Sequence, residues 1–298
     1  MVDFPVALAG LFVGLIVGLT GMGGGALMTP ILVLLFGVEP LAAVSSDLVA
    51  SMFMKPIGAA VHLSQRTVHK SLVFWLVLGS VPAAFTGVVL LTSYGSPVAI
   101  QQAIKTSLGG ALLVVASALV IRPLFMRRRK PPAIPVPLVV KPVPTMLIGI
   151  LGGFVVGLTS VGSGSLMVLM LLLLYPSIRL SDLVGTDLAQ AVPLVASAAL
   201  AHFLFGDFRM EVTTSILLGS VPGIYLGARF SSRASDKVIR PLLVVVLTAS
   251  ALKLLGVSNG GVIVIVALSS AASVAHYVLN AQRNARAGNA RASAAPEV

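Results

Sequence analysis

Cysteine is absent from the 298 residues, and charged side chains are scarce. The lack of cysteine excludes disulfides, thiolate metal sites and cysteine nucleophiles. Only 10% of the residues are charged, whereas a soluble domain carries about 25%. Hydrophobic residues make up 57% of the chain, and its mean hydropathy is +1.05. This composition excludes an ordinary soluble domain and predicts a membrane protein.

Three further features are not predicted from the sequence: a nucleic-acid partner, a signal peptide, and a site for a metal, cofactor or ATP. The net charge of +11 could suggest a nucleic-acid partner, but the basic residues lie at helix ends and in short loops, as membrane topology places them. We therefore predict no nucleic-acid binding. The N-terminus, Met1-Val2-Asp3, lacks the basic region of a signal peptide. No cluster of ligands has metal-binding spacing and no Walker-type loop occurs, so no metal, cofactor or ATP is predicted.

The hydrophobic runs are continuous rather than alternating, as Leu72–Leu91 shows. Continuous runs of about 20 residues are typical of spanning helices and not of β-barrel strands. The sequence thus predicts an all-α polytopic membrane protein. Its expected helices are Phe4–Leu19, Ala26–Phe36, Leu41–Leu63, Ser71–Leu91, Ala99–Ile121, Thr145–Leu158, a short helix ending at Leu174, Leu180–Phe205, Val212–Phe230, Val238–Leu255 and Val262–Leu279.

These helices divide the chain into five parts. We predict a first transmembrane repeat, a basic proline-rich cytoplasmic linker, a second repeat, one extra C-terminal helix and a disordered cytoplasmic tail. Proline at the density seen in the linker favours extended chain. The parts cover residues 1–121, 122–144, 145–256, 257–280 and 281–298.

The two halves are internally similar. The segment Gly18–Met28 (GLTGMGGGALM) aligns with Gly157–Met167 (GLTSVGSGSLM), 139 residues later. Further matches share an offset of 140 residues, and they include the pairs Asp47 and Asp187, His62 and His202, and the segments Gly79–Pro82 and Gly219–Pro222. Such duplication is frequent among secondary transporters.

Charge predicts the orientation of the two repeats. If the basic linker is cytoplasmic, most of the 20 Lys and Arg residues fall on the same side, and only Arg209 falls in an outer loop. Each repeat then has a glycine-broken pair of short helices followed by three crossings. Because three is odd, the repeats are predicted to be inverted, with the N-terminus outside and the C-terminus inside.

The glycine-rich breaks are the strongest candidates for a binding site. Short, glycine-interrupted helices at matching positions in both halves are typical of transporter sites, because they expose backbone N–H groups and let an anion approach them. Close helix packing through small residues is the alternative. The candidate substrate-binding residues are Thr20, Gly21, Gly23, Gly24, Gly25, Lys55, Thr159, Ser160, Gly162, Ser163, Gly164 and Ser165.

Four ionisable residues are candidates for proton coupling or gating. Asp47 and Asp187 lie within apolar helices, where such residues are costly and usually functional. Helix-end hydrogen bonding, with a backbone N–H of a break as a partner, is the alternative. His62 and His202 lie near helix ends and could relay protons or form interfacial hydrogen bonds.

Lys55 lies deeper in its helix and is followed by Pro56, while Val195 stands at the equivalent position in the second half. An ammonium group in mid-membrane suits an anionic substrate. It could instead neutralise Asp47, although eight residues of helix make direct contact unlikely.

At the repeat motifs the chain resembles the TauE/SafE family of sulfite and organosulfonate exporters. The resemblance rests on Gly18–Pro30 (GLTGMGGGALMTP), on its weaker copy at Gly157–Met167 and on the two Gly-Ser-Val-Pro segments. It implies a secondary transporter in the cell membrane of a bacterium. Such a transporter would export sulfite, sulfoacetate or related anions, and the export would be coupled to an ion gradient, with protons as the expected coupling ion.

The sequence leaves other functions open. A passive anion channel of the same fold and a structural membrane subunit are two of them. An intramembrane serine protease using Ser163 or Ser165 with His202 is the enzymatic alternative, but the predicted protein is not an enzyme and has no catalytic residues. The expected partners are a small anionic substrate, membrane lipid and a second copy of the chain in a homo-oligomer.

Overall fold

The computed structural model describes residues 2–20, 24–94, 96–127, 138–230, 236–265 and 267. Within these residues the regular structure is helical. The helices are α1 (Phe4–Thr20), α2 (Gly25–Leu34), α3 (Pro40–Ser64), α4 (Lys70–Tyr94), α5 (Pro97–Arg127), α6 (Pro142–Thr159), α7 (Leu166–Leu174), α8 (Leu180–Phe205), α9 (Met210–Phe230) and α10 (Asp236–Leu254). The predicted all-α fold is therefore confirmed.

The helix ends differ from the prediction around the linker. Helix α5 continues beyond Ile121 to Arg127, and α6 begins at Pro142 rather than Thr145. Proline suits this start, because a residue in the first helical turn has no intrahelical partner for its N–H. The predicted last helix, Val262–Leu279, is helical over its residues 262–265, and this helix begins earlier than predicted, at residue 259. Its remainder, apart from residue 267, and the predicted disordered tail lie outside the described residues.

Four of the described helices are long and apolar enough to cross a membrane. They are α4 over Lys70–Ser93, α5 over Pro97–Ile121, α6 and α8 over Ser181–Phe205. Large hydrophobic side chains are also exposed on the bundle surface, with Phe74 and Phe203 each about 60% exposed. A surface of this kind is unfavourable in water and suits lipid.

The sequence repeat is also a repeat of packing. Helix α1 packs along α9, and its repeat counterpart α6 packs along α4. An ideal Cβ on Gly14 would lie 2.5 Å from the Ser220 carbonyl oxygen, and one on Gly153 would lie 2.3 Å from the Ser80 carbonyl oxygen. The two contacts join equivalent positions. Each half therefore uses a glycine of its first helix to bring that helix against the other half.

Equivalent helices begin at opposite ends of the bundle. At one end, Arg209 before α9 lies 3.8 Å from Glu39 before α3, and the Asp3 N–H before α1 donates to the Ser215 hydroxyl (2.8 Å). At the other end, His69 before α4 lies 3.7 Å from Asp182 in the first turn of α8. Gly149 and Gly157 of α6 lie against Leu76 and Ala84 of α4, so the two helices run in the same direction and α6 begins at this end too. We call these the Glu39 end and the His69 end.

Candidate functional site

The second glycine break is an irregular turn that ends α6. Ser160 adopts a left-handed conformation (φ 59°), and Gly162 and Gly164 have φ values of 125° and 103°. Glycine is favoured at these two positions because an L side chain is strained there. Helix α7 then begins at Leu166, after Ser165. The glycines thus produce the predicted interruption between α6 and α7.

The two breaks meet inside the bundle. A Cβ on Gly25, the first residue of α2, would lie only 2.0 Å from the Ser160 carbonyl oxygen. The neighbouring Gly24 is buried but less crowded, since its Cβ would lie 3.5 Å from the Met54 methyl group. Gly25 therefore has a packing role, which the sequence allowed as an alternative to ligand binding. Gly21 and Gly23 lie outside the described residues.

Asp47 connects α3 to both breaks. Its carboxylate is 1% exposed and accepts hydrogen bonds from the Ser160 hydroxyl (2.6 Å) and the Thr29 hydroxyl (3.1 Å). A buried carboxylate is costly unless it is hydrogen-bonded, and these hydroxyls meet that need. The carboxylate joins residues far apart in the chain and fixes the second break against α2 and α3.

Asp187 occupies the equivalent position on α8 with different partners. Its carboxylate is 1% exposed and accepts from the Gln190 side-chain amide (3.1 Å) and the Gly164 backbone N–H. A bond to a backbone N–H of a break was an alternative predicted for both aspartates, and the structure shows it at Asp187. The repeat is therefore not symmetric at this site.

Lys55 reaches from α3 to the second break. Its half-buried side chain donates a hydrogen bond to the Ser163 hydroxyl. Its charge also interacts with the carboxylates of Asp47 and Asp187. None of the ion pairs formed among the described residues includes Lys55, so the three charged groups are neighbours without direct contact.

Two carboxylates and one ammonium group come together in this region. We call these three residues, Asp47, Lys55 and Asp187, the charged cluster. Lys55 is therefore not an isolated positive charge, as a simple anion site would require. An anion entering this region meets an ammonium group, the hydroxyls of Ser160 and Ser163, and two carboxylates that repel it while ionised. Protonation of a carboxylate would reduce that repulsion.

The other candidate residues of the breaks serve the local backbone. The Thr20 hydroxyl donates to the Ile16 carbonyl (2.7 Å). The Thr159 hydroxyl donates to the Val155 carbonyl (2.6 Å) and accepts from the Val161 N–H (3.1 Å). Ser165 is 8% exposed and forms no side-chain cap on α7.

The two histidines have unequal surroundings. His202 is fully buried, with Nδ1 2.8 Å from the Ser45 hydroxyl and Nε2 2.7 Å from the Gly157 carbonyl oxygen. A carbonyl oxygen only accepts, so Nε2 carries a hydrogen. His62 is half-buried and contacts the Thr67 hydroxyl at 2.9 Å. His202 thus fastens α8 to α3 and α6.

Neither Ser163 nor Ser165 forms a hydrogen bond with His202, the pairing that the intramembrane protease would use. His202 bonds to Ser45 and Gly157, and Ser163 bonds to Lys55. A serine hydrolase of the predicted type needs the nucleophile and histidine in contact. The described residues also hold no group of three or more potential metal ligands.

Sequence reasoning missed Thr29 and Gln190, which are both fully buried. Each is a polar residue in an apolar helix, and that was an available signal. Their repeat counterparts, Val168 and Ala50, are apolar, so the search for matching residues passed over them. Ser46 was also missed, and its buried hydroxyl has no partner among the described residues.

The fold and the site together define a class of protein. A bundle with apolar spans, two helix breaks that meet inside it and a buried charged cluster is a multi-pass membrane protein with the features of a transporter. The chain matches the profile of the family described as "Sulfite exporter TauE/SafE" over residues 6–254, and it belongs to that family. The resemblance seen in the repeat motifs is thereby confirmed.

Two relatives from Bacillus subtilis (strain 168) support this class. The chain is 38% identical to "Probable membrane transporter protein YjnA" over 252 residues, which cover 84% of this chain and 98% of the relative. It is 25% identical to "Probable membrane transporter protein YdhB" over 230 residues, covering 76% and 89%. No solved structure matches the chain. The protein is therefore a multi-pass transporter of the cell membrane.

Proposed function

We propose that this protein is a secondary transporter that exports a small anion, either sulfite or an organosulfonate such as sulfoacetate, in a process coupled to a proton gradient. The observation that carries the proposal is the charged cluster at the meeting point of the two breaks. The Lys55 ammonium group and the hydroxyl of Ser163, whose hydrogen is not used in its bond with Lys55, supply hydrogen-bond donors suited to an oxyanion. The choice of a sulfur oxyanion as the substrate rests on the family to which the chain belongs.

Proton coupling follows from the balance of charge. With both carboxylates ionised, Asp47 and Asp187 outnumber Lys55, and an added anion would be repelled. One bound proton makes the cluster neutral, which favours entry of a negative ligand. A transporter that binds its anion at this cluster is therefore expected to bind a proton as well.

Alternating access is supported by the relation between the two halves. Helices α1, α3 and α9 begin at the Glu39 end, whereas α6, α8 and α4, their repeat counterparts, begin at the His69 end. We propose that this reflects inverted repeats in the membrane, with the His69 end cytoplasmic. Two such halves can exchange conformations around a fixed site between them. His62 and His202, which lie towards opposite ends, are then candidates for gating.

Proteoliposomes holding the purified protein test the proposal. Vesicles are loaded with labelled sulfite or sulfoacetate, and efflux is followed with no pH gradient and with gradients of both signs. We expect protein-dependent efflux whose rate and final extent change with the sign of the gradient. Efflux that never exceeds what the anion's own gradient allows would identify a passive channel instead, and protein without flux of either anion would contradict the proposed substrates.

A further inference from the structure

We infer that Asp47 is the carboxylate that takes up the coupling proton and that Asp187 stays ionised as the counter-ion of Lys55. This inference rests on the proposed function, since it gives different roles to two carboxylates of one transport site. Both aspartates are fully buried and occupy equivalent positions in the repeat. What separates them is the chemistry of their hydrogen-bond partners.

The partners of Asp47 can adapt to a proton. Its carboxylate accepts from the hydroxyls of Ser160 and Thr29. A hydroxyl can donate or accept, and it can rotate to do either. When Asp47 is protonated, its new O–H group can donate to one of these same oxygens. The carboxyl group therefore remains hydrogen-bonded in both protonation states.

The partners of Asp187 cannot adapt in this way. The Gly164 backbone N–H is a donor only. The Gln190 side-chain nitrogen lies 3.1 Å from Asp187 and 2.8 Å from the Met167 sulfur, and the Gln190 amide oxygen accepts from the Ser80 hydroxyl (3.2 Å). An amide flip towards a protonated Asp187 would therefore also require Ser80 to reverse its hydrogen bond, and it would turn the amide oxygen towards a sulfur that is only an acceptor. A proton on the carboxylate facing these donors would leave a buried donor unsatisfied.

The position of Lys55 gives the same ranking. Its ammonium group donates to Ser163, which adjoins Gly164, the backbone donor to Asp187, so Asp187 and the ammonium group lie at the same turn. Loss of the negative charge of Asp187 would remove a counter-charge from the partly buried Lys55, which is unfavourable. Asp187 is therefore the carboxylate that must keep its charge.

The surroundings of Asp47 contain few other ionisable groups. Lys55 acts on it from its own helix, and α2 and the second break offer it hydroxyls but no titratable side chain. The ionisable residues whose side chains the structure describes on the other helices packed against α3 are Asp182, Asp187 and His202 on α8, Glu211, Tyr225 and Arg229 on α9, and Lys105 on α5. Of these, His202 is engaged by Ser45 and Gly157.

One consequence concerns the direction of coupling. A proton on Asp47 lowers the negative charge of the cluster, so proton and anion favour each other's binding. They are then carried together in the same direction, so each exported anion takes a proton out of the cell, and the outward gradient of the anion, not an inward proton gradient, drives export. Acid on the side that holds the anion should therefore speed its movement.

Asp47→Asn and Asp187→Asn are the informative variants. Asparagine is neutral and can both donate to and accept from hydroxyls, so Asp47→Asn resembles the protonated state. We expect the flux of labelled sulfoacetate in this variant, whatever its rate, to lose its response to a pH gradient. Asp187→Asn places an amide against N–H donors and removes the counter-ion of Lys55, and we expect exchange to fall by more than about tenfold. A pH-gradient response that survives Asp47→Asn would overturn the inference.

Infrared difference spectroscopy tests the inference without a substrate, and its result does not depend on the folding of a single variant. Acidification of the purified wild-type protein should produce the carbonyl stretch of a buried protonated carboxyl group. This band should vanish in Asp47→Asn and shift in Asp47→Glu. A band that persists in Asp47→Asn assigns the proton elsewhere and overturns the inference. Absence of sulfite and sulfoacetate flux in the wild type would instead count against the proposed function, whatever the spectrum shows.

Discussion

Gly25→Ala is the substitution for which the structure makes the sharpest prediction. The new Cβ would lie 2.0 Å from the Ser160 carbonyl oxygen and 2.7 Å from the Ser160 carbonyl carbon. Ordinary contacts begin near 3.4 Å, so about 1.4 Å of separation must be created between the two breaks. Both groups belong to the backbone, so no flexible side chain can move aside.

The cost can be estimated in two parts. Overpacking at a close contact costs about 1–3 kcal/mol. Movement of Ser160 also disturbs its 2.6 Å hydrogen bond to Asp47, and a hydrogen bond to a charged group contributes about 1.5–3 kcal/mol. A displacement of about 1 Å in a functional site can reduce a rate about 100-fold. We therefore expect Gly25→Ala to lower both thermal stability and transport.

Gly24→Ala is the matched control. Its Cβ would lie 3.5 Å from the flexible Met54 methyl group, at a backbone φ of −60° that alanine adopts readily. We expect its stability to change by less than about 1 kcal/mol. The assays are thermal unfolding in detergent and anion efflux from proteoliposomes. Equal behaviour of the two variants would refute the contact between the breaks.

Three further predictions concern the contacts around the site. In Gly153→Ala the new Cβ would lie 2.3 Å from a backbone oxygen of α4. This variant should lower the unfolding temperature by an amount equivalent to about 1–3 kcal/mol, and an unchanged temperature would contradict the packing of α6 on α4. Ser45→Ala leaves Nδ1 of the buried His202 without its partner, which should destabilise the protein by about 1–3 kcal/mol in the same assay, with recovery in Ser45→Thr. Because the chain has no cysteine, His69→Cys/Thr186→Cys can be crosslinked without background. The His69 N–H lies 3.0 Å from the Thr186 hydroxyl, so a short thiol-reactive crosslinker should join the two positions, and failure to join them would contradict the contact between α4 and α8.

The fold could be predicted largely from local features. Long apolar runs give spanning helices because unsatisfied backbone groups are costly in lipid. The glycines at the breaks gave the interruption, and the repeat gave the pairing of equivalent elements. The predicted end of α5 was wrong because Arg122 and Pro123 resemble the start of a linker, whereas the helix continues through Pro123 to Arg127.

The site was harder to predict because its bonds join distant segments. Asp47 bonds to Ser160, and Lys55 bonds to Ser163, each across more than 100 residues. The repeat identified the two aspartates but could not show that one faces hydroxyls and the other N–H groups. That difference depends on residues without a polar counterpart in the other half, such as Gln190.

The central claim of this account is that the anion crosses the bundle at the charged cluster. Efflux of sulfite and sulfoacetate from proteoliposomes holding Lys55→Met tests it most directly, with Lys105→Met, a half-buried lysine of α5, as the control. We predict that Lys55→Met abolishes efflux while the protein remains folded, and that Lys105→Met retains it. Full efflux in Lys55→Met would contradict the claim and remove the charged cluster from the transport mechanism.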